Sequence, residues 1–240
     1  MYKPLLLTLA SLASILAAPL DNVTPARHKR DLYFTNWSGA IQESSSSGSY
    51  TLVQASFVVP TLNDANNPKG TADIWVGIDG NNCKTAILQT GIVTYGDGTF
   101  WVWTEWWKHT MQDYSVSLDV SGGDTVRLTV HATSTTSGTT TVENLTTGKS
   151  VSHTFTSETS YPLCETDAEW IVEDFQIDSA GDLAPLVDWG TIKMFDTLAS
   201  GPNGNVTAAG ATKANLKQNG VILTSTDIGT DGSVSVTYIG

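Results

Sequence analysis

The sequence has few basic residues. Among its 240 residues, 12 Lys and Arg stand against 24 Asp and Glu, which gives a formal net charge of −12. Phosphate binding requires clustered Lys and Arg, so this balance argues against nucleic acid as a partner. The two cysteines are too few for a disulfide-dense scaffold or a Cys-ligated zinc site. With 40% apolar residues, the chain can nevertheless bury a sizeable core as one domain.

The signatures of several hydrolase classes are also missing. No Gly-x-Ser-x-Gly elbow occurs, and no Asp-Thr-Gly or Asp-Ser-Gly triplet marks a two-aspartate protease. His109, His131 and His153 are not spaced as a zinc-binding pair, and no Gly-rich phosphate loop leads from a strand into a helix. We therefore expect no metal and no cofactor, and carboxylate and amide chemistry remains.

The first 30 residues are predicted to be removed from the mature protein. Lys3 followed by the apolar run Leu5–Leu16 predicts a signal peptide over residues 1–17. The basic cluster Arg27–Arg30 predicts a short pro-segment, residues 18–30, that ends in a dibasic processing site. The remaining domain, residues 31–240, loses four bases and one acid and carries 8 bases and 23 acids, a net charge of −15. We expect a secreted, extracellular monomer with no membrane partner, whose acidic self-repulsion falls at low pH.

Export has two consequences for the covalent structure. An oxidising compartment favours a disulfide between Cys83 and Cys164, although two separate buried thiols remain an alternative. The triplets that begin at Asn36, Asn144 and Asn205 are possible glycosylation sites.

After residue 31 the chain is predicted to form strands. Short runs rich in Val, Ile, Thr, Trp and Tyr are separated by Gly, Asn, Asp and Ser. The runs are Thr51–Val59, Ala72–Ile78, Thr85–Gly91, Thr99–Trp107, Tyr114–Val120, Thr125–Ala132, Thr139–Asn144, Glu169–Phe175 and Ser233–Ile239. This spacing predicts an antiparallel sandwich or barrel.

Polar side chains recur on one face of four of these strands. Because strand side chains alternate, Trp101, Trp103, Glu105 and Trp107 share a face. On the other three strands, Trp75 shares a face with Asp79, Gln89 with Gly91, and Glu173 with Phe175. Glu is rarely buried without a partner, so a carboxylate among indoles favours a ligand groove over the alternative, an aromatic core with Glu105 at its edge.

Five segments together carry a recognisable pattern. They are Asn36–Ala40, Trp75–Gly80, Thr85–Gly91, Tyr95–Gly98 and Ala168–Phe175. In this order they closely resemble the fungal glutamic peptidases, the eqolisins, and the similarity runs from about Asn36 to the C-terminus. The resemblance implies an all-β fold, an antiparallel sandwich of two large sheets with a lectin-like, jelly-roll-type shape and a substrate groove on the concave face.

The resemblance also implies the site. Gln89 and Glu173 fall on the positions of a catalytic dyad, and the half-cystines that join in the family fall on Cys83 and Cys164. Positions that line or support the groove fall on Trp37, Trp75, Asp79, Trp103 and Glu105, and the face pattern adds Trp107. Where relatives can carry Asp, this chain has Val93, so we expect a simpler hydrogen-bonding network near the dyad.

These residues predict a secreted acid endopeptidase that acts on polypeptides. Ionised Glu173 can take the proton of a water as general base and return it as general acid. The Gln89 amide can hold that water through its oxygen and the oxyanion through its NH₂ group. By the resemblance, pepstatin should not inhibit the enzyme.

Two other classes of function remain open on the sequence alone. Indoles beside carboxylates also bind sugars, so the sandwich could be a lectin-like carbohydrate binder or a glycoside hydrolase. A retaining glycosidase needs carboxyls about 5–5.5 Å apart, and Glu169 and Glu173 are too far apart along one strand. A catalytically silent adhesion module is the third hypothesis.

Overall fold

The computed structural model describes residues 31–177 and 182–240. The predicted signal peptide and pro-segment therefore lie outside the described residues. The described chain is all β and contains no helix that could span a membrane. Its strands are β1 Leu32–Phe34, β2 Trp37–Glu43, β3 Leu52–Val58, β4 Thr71–Ile78, β5 Ile87–Tyr95, β6 Phe100–Trp107, β7 Gln112–Asp113, β8 Thr125–Ser134, β9 Ser137–Asn144, β10 Lys149–Phe155, β11 Asp167–Glu173, β12 Thr191–Gly201, β13 Gly204–Val206, β14 Thr212–Gln218, β15 Val221–Ile222, β16 Thr224–Ile228 and β17 Val234–Tyr238.

The strands form two large sheets. The first has the order β1-β14-β2-β11-β4-β5-β6-β7, with β15 paired to β14. The second has the order β10-β9-β8-β3-β12-β17-β16, with β13 paired to β12. Among the described strands, β1 and β14 run parallel and the other pairs are antiparallel. The predicted antiparallel sandwich is confirmed.

The main core lies between the sheets. On β8, every second side chain from Val126 to Val130 is buried, which is the alternation expected of a strand with one solvent-facing side. Strands β4 and β5 are instead buried on both faces, because a second cluster of apolar side chains covers the face turned away from the other sheet. Ile74, Val76 and Ile78 of β4 join the inter-sheet core. Trp75, on the other face of β4, belongs to a second cluster with Trp37 and Trp103. The residues predicted for the site lie on that second face.

One predicted strand is wrong. The segment Tyr114–Val120 is an irregular loop that follows the two-residue strand β7. In a strand, Tyr114, Val116 and Leu118 would share a face, but Tyr114 and Leu118 are buried whereas Val116 is 67% exposed. The Tyr114 hydroxyl hydrogen-bonds the hydroxyls of Thr90 on β5 and Thr140 on β9, which anchors the loop to both sheets.

A disulfide joins Cys83 to Cys164, with 6.0 Å between the Cα atoms, so the expected bridge is confirmed. It connects the turn after β4 to the loop that leads into β11, and it closes a loop of 81 positions. In the chain-entropy model a loop of that length contributes about 4.5 kcal/mol to the free energy of unfolding. The bridge thus stabilises the two segments that carry the predicted dyad strands.

Asp79 supports the same junction rather than lining the groove. Its carboxylate accepts hydrogen bonds from the backbone N–H groups of Cys164, Glu165 and Thr166, at 2.7, 2.8 and 2.8 Å. The side chain is completely buried, and the backbone at Asp79 is left-handed, with φ at 70°. Of the two roles predicted for Asp79, lining or supporting the groove, its contacts favour the supporting one.

Candidate active site

Strand register brings the predicted dyad to one face of the first sheet. Gln89 on β5 lies opposite Gly77 on β4 and Glu105 on β6. Glu173 on β11 lies opposite Asp73 on β4, four residues from Gly77. Because four is an even number of residues, both side chains point to the same side of the sheet. The common face expected from the sequence is confirmed, and the two residues are two strands apart.

Gly39 allows β2, the strand that begins at Trp37, to approach β11 closely. A Cβ atom at position 39 would lie 2.0 Å from the backbone oxygen of Trp170, and φ is 141° there. Only glycine fits this contact. The close pairing of β2 with β11 places Trp37 opposite Glu173 and brings Asn36 beside it.

Glu173 is a half-buried residue, and its carboxyl is held by two hydrogen bonds. Asn36 Nδ2 donates to Oε1 at 2.7 Å, and Trp75 Nε1 donates to Oε2 at 2.8 Å. Burial nevertheless raises the pKa of Glu173 to about 7, although these bonds and one from Trp37 lower it. In the acid range this carboxyl therefore holds a proton.

The Gln89 side chain is held by a second carboxyl. Its Nε2 donates a short hydrogen bond to Glu105, which is buried, and burial raises the pKa of Glu105 to about 7. The Gln89 Oε1 atom is buried and has no partner among the described residues. A buried carbonyl oxygen left unpaired costs about 1–3 kcal/mol, so this atom is available to a water or a substrate N–H. No direct hydrogen bond joins Gln89 to Glu173 in the described chain, and a bridging water remains the predicted link.

A carboxyl that the sequence analysis missed lies directly beside Glu173. Asp73 is 1% exposed, and its Oδ1 accepts a hydrogen bond from Trp103 Nε1 at 2.8 Å. Asp73 also pairs across the sheet with Val93. The neighbouring strand therefore supplies a carboxyl beside Val93, and the simpler network expected there stays a prediction. The signal was present, since Asp73 precedes Trp75 by two residues and so shares its face.

Asn36, Asp174 and Gln218 were also missed as site residues. Gln218 Nε2 donates to Asp174 at 2.7 Å and to the Thr35 carbonyl at 2.9 Å. The Asp174 backbone N–H donates to the Asn36 carbonyl at 2.9 Å. These contacts fix Asn36 against the end of β11. They join segments more than 40 positions apart, which strand periodicity cannot reveal.

The predicted indoles divide into two groups. Trp37, Trp75 and Trp103 are buried, and Trp37 packs edge-on against Trp75 with ring centroids 5.0 Å apart. Their indole N–H groups orient nearby carboxyls, and their buried rings offer little surface to a ligand. Trp107 is partly exposed, with Lys108 Nζ 3.4 Å from its ring centroid, and offers apolar surface at one end of the face.

The three predicted glycosylation positions differ in accessibility. Asn36 Nδ2 is engaged with Glu173, and Asn144 is completely buried with its Nδ2 bonded to Asp119 and Asp124. These contacts argue against a glycan on either amide, and both sites stay predictions. Asn205, on the exposed strand β13, remains a prediction.

Three potential metal-ligand atoms meet at Asp79, Cys83 and Cys164. Both sulfurs are bonded to each other, and the carboxylate accepts backbone hydrogen bonds. This group does not fit a metal ion.

A β-sandwich that presents an amide and several carboxyls on one face of a sheet is the arrangement expected of a glutamic-type peptidase. Residues 35–238 match the Peptidase A4 family, and the chain belongs to this family, the eqolisins. It is 39% identical over 228 residues to aspergillopepsin-2 of Aspergillus niger, a match that covers 86% of this chain and 78% of that protein. It is 44% identical over 167 residues to scytalidopepsin B of Scytalidium lignicola, covering 70% of this chain and 61% of that protein.

Solved structures agree with the family assignment. Scytalido-glutamic peptidase, solved with a transition state analog inhibitor, superposes with a TM-score of 0.78 at 36% identity and covers 85% of this chain and 98% of that one. Aspergilloglutamic peptidase from Aspergillus niger gives a TM-score of 0.65 at 43% identity, over 71% of this chain and 99% of that one. Both comparisons support the sandwich fold.

Proposed function

We propose that the chain is a secreted acid endopeptidase that hydrolyses polypeptides with Gln89 and Glu173. One observation carries the proposal. On a single sheet face, the carboxyl of half-buried Glu173, with a pKa of about 7, accompanies an amide whose buried oxygen has no hydrogen-bond partner within residues 31–177 and 182–240. Such a pair offers a proton donor and acceptor together with a site that orients water.

The raised pKa of Glu173 changes the order of steps expected from the sequence. In acid the resting carboxyl is protonated, so it first donates its proton to the scissile carbonyl oxygen. Gln89 Oε1 holds the attacking water, which then loses a proton to the Glu173 carboxylate. Glu173 passes that proton to the leaving nitrogen as the C–N bond breaks, and it recovers one from the nascent carboxyl group.

The Gln89 amide can serve this sequence with both of its ends. One N–H of its NH₂ group is bonded to Glu105, and the other would contact the scissile carbonyl oxygen while Glu173 protonates it. Glu105 therefore acts by fixing which end of the amide faces each reacting group.

Protein digestion at acid pH tests the proposal. The activity should survive pepstatin, metal chelators and thiol-blocking reagents, because the proposed mechanism needs neither an aspartate dyad, nor a metal, nor a free thiol. A two-aspartate protease in the same assay provides the control for pepstatin. Loss of activity in chelator with recovery on adding zinc would overturn the proposal, and so would inhibition by pepstatin.

Secretion and processing are part of the proposal. Residues 1–17 would direct export, and removal of residues 18–30 would leave a monomeric mature chain that begins at Asp31. N-terminal sequencing of protein recovered from culture medium should therefore start at Asp31. A chain retained inside the cells, or one that is active with residues 18–30 still attached as its only form, would contradict this part.

The two glutamates of β11 give the glycosidase alternative no support. Glu169, the other glutamate on the same face of β11, is completely buried and its carboxyl oxygens have no side-chain partner among the described residues. It is therefore not placed to act on a sugar together with Glu173.

A further inference from the structure

Asp73 occupies a position that the proposed mechanism does not yet use. It lies directly opposite Glu173 across the pair formed by β4 and β11. Side chains in such pairs have Cβ atoms about 5 Å apart, and these two are on the same face. Two carboxyls at this separation cannot both ionise without strong mutual repulsion.

The surroundings of Asp73 are mostly acidic. Glu173 faces it from β11 and Glu105 faces it from β6, and burial together with these like charges raises the pKa of Asp73 well above its ordinary value. Tyr95 on β5 is close enough that the Asp73 charge raises the pKa of its phenol. The Trp103 indole N–H acts in the other direction, because its hydrogen bond lowers the pKa of Asp73.

We propose that Asp73 and Glu173 form a carboxyl pair that shares one proton, so that Asp73 is a positioning residue for the proton that Glu173 delivers. This inference rests on the proposed function. A coupled pair retains its last proton to a higher pH than either carboxyl would alone. An ionised Asp73 would thus extend toward neutral pH the range in which Glu173 can donate, whereas a neutral Asp73 would not.

The Asp73→Asn variant tests the pair. Asn keeps an oxygen that can accept the Trp103 hydrogen bond, but it removes the titrating group. We expect the pH of half-maximal kcat/KM on the alkaline side to fall by about one unit. Short assays with intrinsic tryptophan fluorescence recorded in parallel separate this shift from unfolding.

Asp113→Asn is the matched control. Asp113 also accepts an indole N–H, from Trp101 at 2.6 Å, but it is exposed and lies on β7 at the sheet edge, three strands from β4. Its replacement should leave the alkaline midpoint in place. An equal shift in both variants would show a general effect of lost charge and would overturn the pair.

A second variant keeps the test decisive if Asp73→Asn does not fold. Trp103→Phe removes the N–H that favours ionised Asp73, so Asp73 is neutral more often when Glu173 titrates and the alkaline midpoint should again fall. An unchanged or higher midpoint in a folded Trp103→Phe protein overturns the pair. An unchanged midpoint in folded, active Asp73→Asn protein overturns only the pair, whereas a wild-type chain that cleaves no peptide at any pH overturns the proposed function as well.

Discussion

Replacing Glu173 with Gln is expected to lower kcat about 10⁴-fold, because the variant can neither donate nor accept the proton on which each bond-breaking step depends. Steady-state hydrolysis of a peptide substrate at acid pH measures this loss. Both Glu173 oxygens accept hydrogen bonds, so the Gln NH₂ group will oppose one donor and lower the free energy of unfolding by about 1–3 kcal/mol. Unfolding curves at the assay pH check that the variant remains folded.

Glu158→Gln is the matched control for Glu173→Gln. Glu158 lies in the loop between β10 and β11 and contacts His109 at 2.9 Å. The same replacement of Glu by Gln there leaves the proposed dyad in place, so kcat should stay within about 10-fold of wild type. Near-normal turnover in Glu173→Gln would refute the catalytic assignment.

The Gln89→Ala variant tests the other member of the dyad. It removes both the free oxygen and the donor proposed for the carbonyl oxygen, so kcat should fall by about 10²–10³. The loss should be smaller than for Glu173→Gln, since no proton passes through the amide. An effect on KM alone would show that Gln89 only binds substrate.

Folding stability is expected to fall as pH rises from about 4.5 to about 7. Glu105 has a pKa of about 7 in the folded chain, against 4.5 as its ordinary value. Between these values the folded state binds more protons than the unfolded state. The contribution of Glu105 to the free energy of unfolding is therefore fully present below pH 4.5 and is lost as the pH rises through 7. For Glu105 alone this amounts to about 3 kcal/mol. Burial of Asp73, Glu169 and Glu173 acts in the same direction.

Urea unfolding at pH 4, 5.5 and 7 measures this dependence. The Glu105→Gln variant removes one titrating group and keeps an acceptor for Gln89, so it should reduce the loss between pH 4 and 7 by about 3 kcal/mol. A free energy of unfolding that stays constant or rises over this interval would contradict the prediction.

Local pattern was sufficient to predict the strands that carry the site. Period-two alternation identified the face of Gln89 on β5, of Glu105 on β6 and of Glu173 on β11, because each strand is rich in Trp, Ile and Val. The same pattern failed for β2, where Ser38, Gly39 and Ala40 are too small to signal burial. At Tyr114–Val120 the pattern predicted a strand that does not form, because the apolar residues there anchor a loop.

Contacts between distant segments could not be predicted in the same way. The bond from Asn36 to Glu173 spans 137 positions, and that from Trp103 to Asp73 crosses from β6 to β4. Both depend on which strands become neighbours and in which register, and alternation within a strand does not determine either. From the sequence, Asp73 was therefore only a polar residue near the start of a predicted strand, whereas in the folded chain it lies beside the proposed catalytic residue Glu173.

The placement of Gln89, Glu105, Asp73 and Glu173 on adjoining strands of one sheet makes hydrolysis a sensitive reporter of refolding. A slip of one residue in any of these strands would turn its polar side chain into the apolar core and leave a compact but inactive molecule. Recovery of activity after dilution from denaturant would therefore count only chains in native register. Secondary-structure signals would also include misregistered chains, so the difference between the two yields would measure how often the sheet pairs incorrectly.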